Sequence, residues 1–490
     1  MKPHTTYMKH QQSSLRGAQV KNKRSSSVVE TLLWIVFIIN LFLLGIVWVN
    51  PIDTQPDSWI RLSTFTVLIW TVVSFFGAAI SSFAKKYLDG FKRQSAFFSF
   101  LLGFTLSVML LVLSNHLLLF IGCWGLMGFF MSRLIGIQSQ WGEARAAERF
   151  TRRYFVLCTV LLSIGLLTLA AQSGAFTIDR LVQKITTIPF YVLLFSALCI
   201  ITAAVVQSAI YPFHRWLLSA MTAPTPASAL MHAGFVNGGG ILLALLAPVF
   251  FGSGTLSLLL IIGGMTAILA QFTKLLQVNV KQKLACSTIA QMGFMIMQCG
   301  LGFFNAAIVH LILHGFYKAY LFLSSGEEVA QGTPQKHPAI RIQPIQALVV
   351  LLFGALGAVL FMYWTGKSWA WDSSIFLTLI VAITVGQVTY NMVKQQHLNW
   401  KQKLTVPAVL FISGIGLYAL FYNGVTVLMA DMPMVASPVP LTITQVVFGL
   451  VFLIGFFLMK LGLYQRVPWL YVKLLNLSQP GKQSVLHYKS

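Results

Sequence analysis

Acidic residues are scarce in this chain. Eleven aspartates and glutamates are spread over 490 residues against 34 lysines and arginines, and charged residues of both signs make up 9%. A soluble domain carries about a quarter. All eleven fall in expected loops, tails or helix ends, so no carboxylate stands ready to pair with a charge in mid-membrane. Cysteine is also rare. Cys123, Cys158, Cys199, Cys286 and Cys299 all lie in apolar windows and form no CxxC pair. They read as small core residues, which excludes a disulfide framework and a zinc site. Nucleotide loops, heme-type or quinone motifs, metal-ligand clusters and nucleophile–base arrangements are missing too. No polar stretch is long enough to fold as a soluble domain. The expectation is a transport subunit, not an enzyme, with no cofactor and no metal.

What the chain has is apolar length. Hydrophobic residues are 57% and the mean hydropathy is +0.77. A crossing helix needs about 20 apolar residues. Apolar windows begin near Val28, Ile60, Phe97, Leu117, Tyr154, Ile188, Ser228, Leu256, Leu284, Ala306, Ile345, Ser374, Leu404 and Leu441. They predict an all-α polytopic membrane protein of about fourteen crossings.

The net charge of +23 follows the same plan. With the N-terminus inside, only Arg61, Arg180, Lys184 and Lys367 fall in outer loops, and Lys318 falls inside a helix. Every other basic residue lies on the inner side. That is the positive-inside asymmetry, with attraction to anionic lipid added. It puts both termini in the cytoplasm and disfavours a nucleic-acid partner. Residues 1–27 are expected as a disordered basic tail, 28–461 as the transmembrane domain and 462–490 as an interfacial cytoplasmic tail. No small-residue cleavage site follows a short apolar core, so the first helix is expected to remain. The Arg-rich segment Gln138–Arg153 reads as a positive-inside loop or an amphipathic surface piece.

Three places break the apolar pattern. In SAIYPFHRWLLSAMTAPTPASALMHAGFVNGGG, Pro212, Pro224 and Pro226 cannot sit inside an uninterrupted helix. The stretch is either a broken helix lining a cavity, as at transporter sites, or a cytoplasmic loop between ordinary helices. His232, Asn237 and Gly238–Gly240 follow in the next helix. His232 reads either as a satisfied core histidine or as a protonatable relay position. In VHLILHGFYKAYLFL, His310, His314 and Lys318 are spaced by four, which places them on one helix face within roughly 12 Å of axis. A mid-membrane lysine costs about 2.5–3.5 kcal/mol on insertion scales, so the stripe reads as a proton path rather than packing. In QFTKLLQVNVKQKLACSTIAQMGF, Lys274 either snorkels or belongs to the relay. Lys281 and Lys283 read as loop charges.

Together, SAIYPFHRWLLSAMTAPTPASALMHA, VKQKLACSTIAQMGF and HLILHGFYKAYLFL resemble the antiporter-like proton-channel subunits. These occur in respiratory NADH–quinone oxidoreductase, Mrp-type cation/proton antiporters and membrane hydrogenases. The resemblance covers roughly residues 100–330. It implies two inverted five-helix repeats, each with a broken helix, and a hydrated polar axis at mid-membrane. MHAGFVNGGGILL and LSSGEE look more like the DabB branch, the membrane subunits of the DAB inorganic-carbon accumulation complexes. That branch implies a cation-conducting, most simply proton-conducting, subunit in a bacterial inner membrane. Its partner would be a DabA-like zinc protein on the cytoplasmic face, with ion flux coupled to CO2 hydration.

The chain also departs from that pattern. In GCWGLMGFF, Gly125 stands where the respiratory pumps place a glutamate. In VVQSAIYPF, Gln207 stands where they place the broken-helix lysine, and in ITVGQVTYNM Gln387 replaces a lysine. The remaining polar set is His232, His310, His314, Lys318, Gln207 and Lys274. Three readings follow: a DAB-type conducting subunit, a redox-complex or Mrp subunit, or a non-conducting anchor for a soluble enzyme.

Overall fold

The computed structural model describes residues 4–50, 55–325, 344–367, 371–379, 400–460 and 467–485. Gln387 and most of the expected loop Ser324–Gln343 lie outside them. Apart from isolated bridges, regular structure among the described residues is helical. Among the described residues, ten helices are long and apolar enough to cross a membrane. In chain order the first long helices are α1 (His4–Val49), α2 (Thr64–Tyr87), α3 (Gln94–Leu113), α4 (Leu117–Ile135) and α5 (Gly142–Ser173). The short α6 (Ile178–Gln183) leads into α7 (Phe190–Gln207), α8 (Arg215–Ser219), α9 (Thr225–Ala233), α10 (Gly238–Leu245) and α11 (Ala247–Gly252). The chain continues through α12 (Leu256–Leu275), α13 (Val280–Gly300), α14 (Phe304–Leu323), α15 (Pro344–Trp364), α16 (Trp400–Leu428), α17 (Ile443–Lys460) and α18 (Pro468–Leu477). The protein is a multi-pass, all-α membrane protein.

Local chemistry sets several helix ends. Asn279 caps α13, its side chain accepting from the N–H groups of Lys281 and Gln282. Ser63 caps α2 by accepting from Thr66 N at 3.1 Å. Such caps satisfy donors that the first turn leaves free. Gly174, at φ +65°, closes α5 in the left-handed conformation that glycine adopts without strain.

Two segments differ from the sequence expectation. The backbone of α1 is helical from His4, where a disordered tail is expected over 1–27. Lysines, glutamines and an alanine there are good helix formers, and propagating from an existing apolar helix avoids the nucleation cost. The arginines of Gln138–Arg153 form neither a loop nor a separate surface helix. From Gly142 onward they are the first turns of α5 itself.

Ion pairs sit at the two ends of the bundle. Arg61–Asp179 (2.6 Å) and Arg180–Asp57 (2.7 Å) join connections at one end. Lys85–Glu30 (2.8 Å) and Arg133–Glu148 (3.1 Å) lie at the other. Between them α12 and α13 approach backbone to backbone. A Cβ on Gly293 would stand 2.7 Å from Ala267 N and Gly263 O, and one on Gly263 would stand 2.5 Å from Gly293 O. Small residues permit this approach, and dispersion between the backbones holds it in lipid.

Candidate functional site: a polar row beside two interrupted helices

Two interruptions build the site. α7 stops at Gln207 and the chain stays irregular until α8 begins at Arg215. Pro212 lies in this break, after a cis peptide bond from Tyr211. The buried Ala209 is left-handed at φ +55°, a conformation that costs an L-residue roughly 1–2 kcal/mol. The second interruption is not at the prolines. Pro224 precedes the first turn of α9 and Pro226 lies within it, where the missing N–H is no loss. α9 gives way instead at Gly234, and a 3-10 turn over Phe235–Asn237 leads into α10.

The two breaks close on each other. Gln207 Nε2 donates to Phe235 O at 2.9 Å, and Ser208 Oγ donates to Val236 O at 3.0 Å. Trp216 Nε1 donates to Val206 O at 2.8 Å. Carbonyls freed by broken helices thus find side-chain partners inside the protein, the condition for irregular backbone at membrane depth. A Cβ on Gly239 would lie 2.7 Å from Ala204 O, so glycine lets the segments meet.

Where the resembling pumps hold a charged pair, this chain holds a neutral cluster. Trp124 Nε1 donates to Cys158 Sγ at 3.3 Å. Cys158 Sγ lies 3.1 Å from Ala203 O and 3.8 Å from Gln207 Oε1. Gly125 leaves open space: a Cβ there would meet only Thr159 Cγ2, at 3.6 Å. Sequence reasoning found Gln207 and Gly125 and missed Trp124 and Cys158, which carry no charge to mark them.

The polar row runs along α14. Lys318 is fully buried, and its Nζ donates to Leu284 O at 3.1 Å. Thr288 Oγ1 donates to the same carbonyl at 3.1 Å. Thr288 Oγ1 is also 2.9 Å from His232 Nδ1. Thr288 thus bridges the His232 ring and the carbonyl that holds Lys318. Phe322 stacks on the His232 ring at 4.3 Å. His314 and His310 follow, one and two turns along α14, with near-parallel rings 6.0 Å apart. Nε2 of His232, His310 and His314 and Oδ1 of Asn237 are all enclosed without a hydrogen-bond partner. Buried polar atoms are nearly always satisfied by protein or ordered water, so these four, on α9, the turn after it and α14, stand out from the apolar interior.

The remaining predicted residues separate. Lys281 is no free loop charge: its Nζ donates to Ala223 O at 2.9 Å, while Gln282 Nε2 donates to Leu218 O at 3.2 Å. These bonds pin the segment after the first break to α13. Lys274 is half-buried at the end of α12, with no hydrogen bond or ion pair among the described residues. At the opposite end of α14, Lys367 sits 4.1 Å over the Phe303 ring and 5.0 Å over Tyr422. Burial pushes its ammonium down to about 8, opposed by Asp372. Thr288 and Lys367 were missed, the first for want of charge, the second because a loop lysine is unremarkable in sequence. Among the described residues no group of three or more histidines, cysteines or acids has a metal-ligand arrangement.

Residues 114–355 match the family described as NADH:quinone oxidoreductase/Mrp antiporter, transmembrane. Over that segment the chain is similar to this antiporter-like family. The chain is 33% identical over 332 residues to the probable inorganic carbon transporter subunit DabB of Bacillus anthracis, covering 67% of this chain and 65% of that one. It is 35% identical over 277 residues to the DabB of Bacillus subtilis, covering 56% and 54%. NADH-quinone oxidoreductase subunit L of Pseudomonas aeruginosa matches at 34% over 289 residues, 57% of this chain and 46% of that one. The chain thus spans less than two thirds of the length of these relatives. The antiporter-like fold is seen again in a chain of the Mrp complex from Dietzia sp. DQ12-45-1b, with TM-score 0.57, 19% identity, 96% of this chain and 52% of that one. A chain of the archaeal membrane-bound sulfane sulfur reductase matches with TM-score 0.55, 16% identity, 96% and 97%.

Proposed function

We propose that this chain is the proton-conducting membrane subunit of an inorganic-carbon accumulation complex. In this reading it works with a DabA-like zinc protein bound to its basic cytoplasmic face, in a bacterial inner membrane with both termini inside. The observation that carries the conducting role is the row itself. Lys318, Thr288 and His232 share hydrogen bonds around one carbonyl, and three enclosed histidine nitrogens on α9 and α14 lack a partner. Histidine and lysine side chains carry exchangeable N–H protons, and a neutral imidazole nitrogen accepts one. Water between such groups carries the proton across gaps too long for direct transfer. Gln207 and Trp124 have no titratable group, so in this reading they and Cys158 order the broken helix while α13 and α14 do the protonic work. In this reading Lys274, half-buried in the last turn of α12, takes part at that end of the row. The carbon-accumulating role is supported by the similarity to the two Bacillus proteins.

A second reading, a subunit of an NADH–quinone oxidoreductase or Mrp-type antiporter, is favoured by the similarity to subunit L. One experiment separates them. The chain is expressed with and without its neighbouring gene in a host lacking carbonic anhydrase, and growth in air is scored. Growth that needs both genes and is lost with Lys318→Ala is the expected result. No growth under any pairing, with sodium or alkali sensitivity on deletion, would move the assignment to the second reading.

A further inference from the structure

A cavity of about 590 Å³ opens between α8 and α18, beside the first helix break. Arg215, Lys473, Trp469, Val472 and Asn476 are on its wall. Neither cation makes an ion pair among the described residues. Two unpaired cations facing one cavity repel each other, and an anion between them relieves this.

The helix that forms the wall is of the kind that lies in a membrane surface. Leu474 is 2% exposed and, with Leu470, packs on Phe272 of α12. Trp469, Val472 and Tyr471 point outward at 67%, 53% and 39% exposure. Aromatic and basic residues on a short amphipathic helix at the end of a membrane bundle sit at headgroup depth. The helix is also fastened to the break. His214 Nε2 is 2.7 Å from Leu477 O, Gln277 Nε2 donates to Ser478 O at 3.2 Å, and Gly481 N donates to Ser219 Oγ at 3.0 Å.

We propose that this cavity binds the headgroup of an anionic phospholipid. The phosphate oxygens accept from the Arg215 guanidinium and the Lys473 ammonium, and the Asn476 amide reaches the polar part of the headgroup. Trp469 and Val472 meet the start of the acyl chains. Guanidinium suits phosphate because two of its N–H groups match two oxygens. A filled site neutralises the cavity and ties α18 to the broken helix. The inference does not depend on which ion is conducted or which partner binds.

The test is thermal unfolding of the detergent-purified full chain, titrated in turn with phosphatidylglycerol, phosphatidylcholine and inorganic phosphate. Phosphatidylglycerol is expected to raise the melting temperature saturably, with the other two giving no comparable rise. Arg215→Gln with Lys473→Gln is expected to weaken the phosphatidylglycerol response roughly 30-fold, the effect of two basic side chains near an anionic surface. Arg145→Gln with Arg149→Gln removes two exposed charges elsewhere and is expected to leave the response intact. Should the first pair fail to fold, Lys473→Gln alone, at an exposed site, is expected to weaken it about fivefold. A wild-type response in the Lys473 variants overturns the site. Equal protection by phosphatidylcholine overturns the need for a net anionic headgroup, and equal protection by inorganic phosphate overturns a lipid source.

Discussion

At the scale of single residues, the row on α14 depends on a hydroxyl as much as on its charges. Thr288 links His232 to the carbonyl that also holds Lys318. Thr288→Val keeps the shape and removes both bonds, leaving His232 Nδ1 without a partner. The expected outcome is a loss of about 1–3 kcal/mol of stability, read as a lower melting temperature, and a strong fall in proton flux in reconstituted vesicles. Thr288→Ser restores both readouts, because serine keeps the hydroxyl. Vesicles in which Thr288→Val conducts like the wild type would remove Thr288 from the path. Gln207 differs in kind. It satisfies Phe235 O and holds two breaks together, and its neutrality fits the thiol and indole beside it rather than a proton-carrying step.

At the scale of elements, the contact between α12 and α13 tolerates no side chain at its centre. Gly293→Val puts atoms where Ala267 N and Gly263 O now stand, and backbone cannot yield as a flexible side chain can. Overpacking of a fitted interior costs about 1–3 kcal/mol and more where the backbone must move. The expected outcome is a chain that inserts but is recovered in low yield, with a melting temperature several degrees lower. Gly122→Val, at an exposed position of α4 with nothing near its Cβ position, gives a control for handling rather than packing. Since α13 carries Leu284 and Thr288, the variant that survives should also lose flux, because the carbonyl under Lys318 shifts with the helix.

At the scale of the whole molecule, the ends of the bundle carry their charges separately, and the proposed orientation follows. A C-terminal green fluorescent protein fusion is expected to fluoresce, and a C-terminal alkaline phosphatase fusion to be inactive; the reverse pattern would invert the topology. Much of this was legible in the sequence. Apolar windows near Val28, Ile60, Phe97, Leu117 and Tyr154 coincide with α1 to α5, because bilayer width fixes helix length. The spacing of His310, His314 and Lys318 gave one face of α14, because helical periodicity is rigid. The place of the second break was not legible. Prolines advertise themselves, yet Pro224 and Pro226 start a helix, and the yielding point is Gly234, where sequence shows only one small residue among several. Partners brought together by tertiary packing, Trp124 with Cys158 and Thr288 with His232, leave no trace in local pattern either. The fastening of α18 to the break has a mechanical consequence. Leu477 is tied to His214, Trp216 to Val206 and Gln207 to Phe235, three residues past His232, so the connections form one linkage from the membrane surface to the buried row. Such a linkage works as a lever: whatever grips the C-terminal segment from outside the membrane holds the far end as well, without entering it.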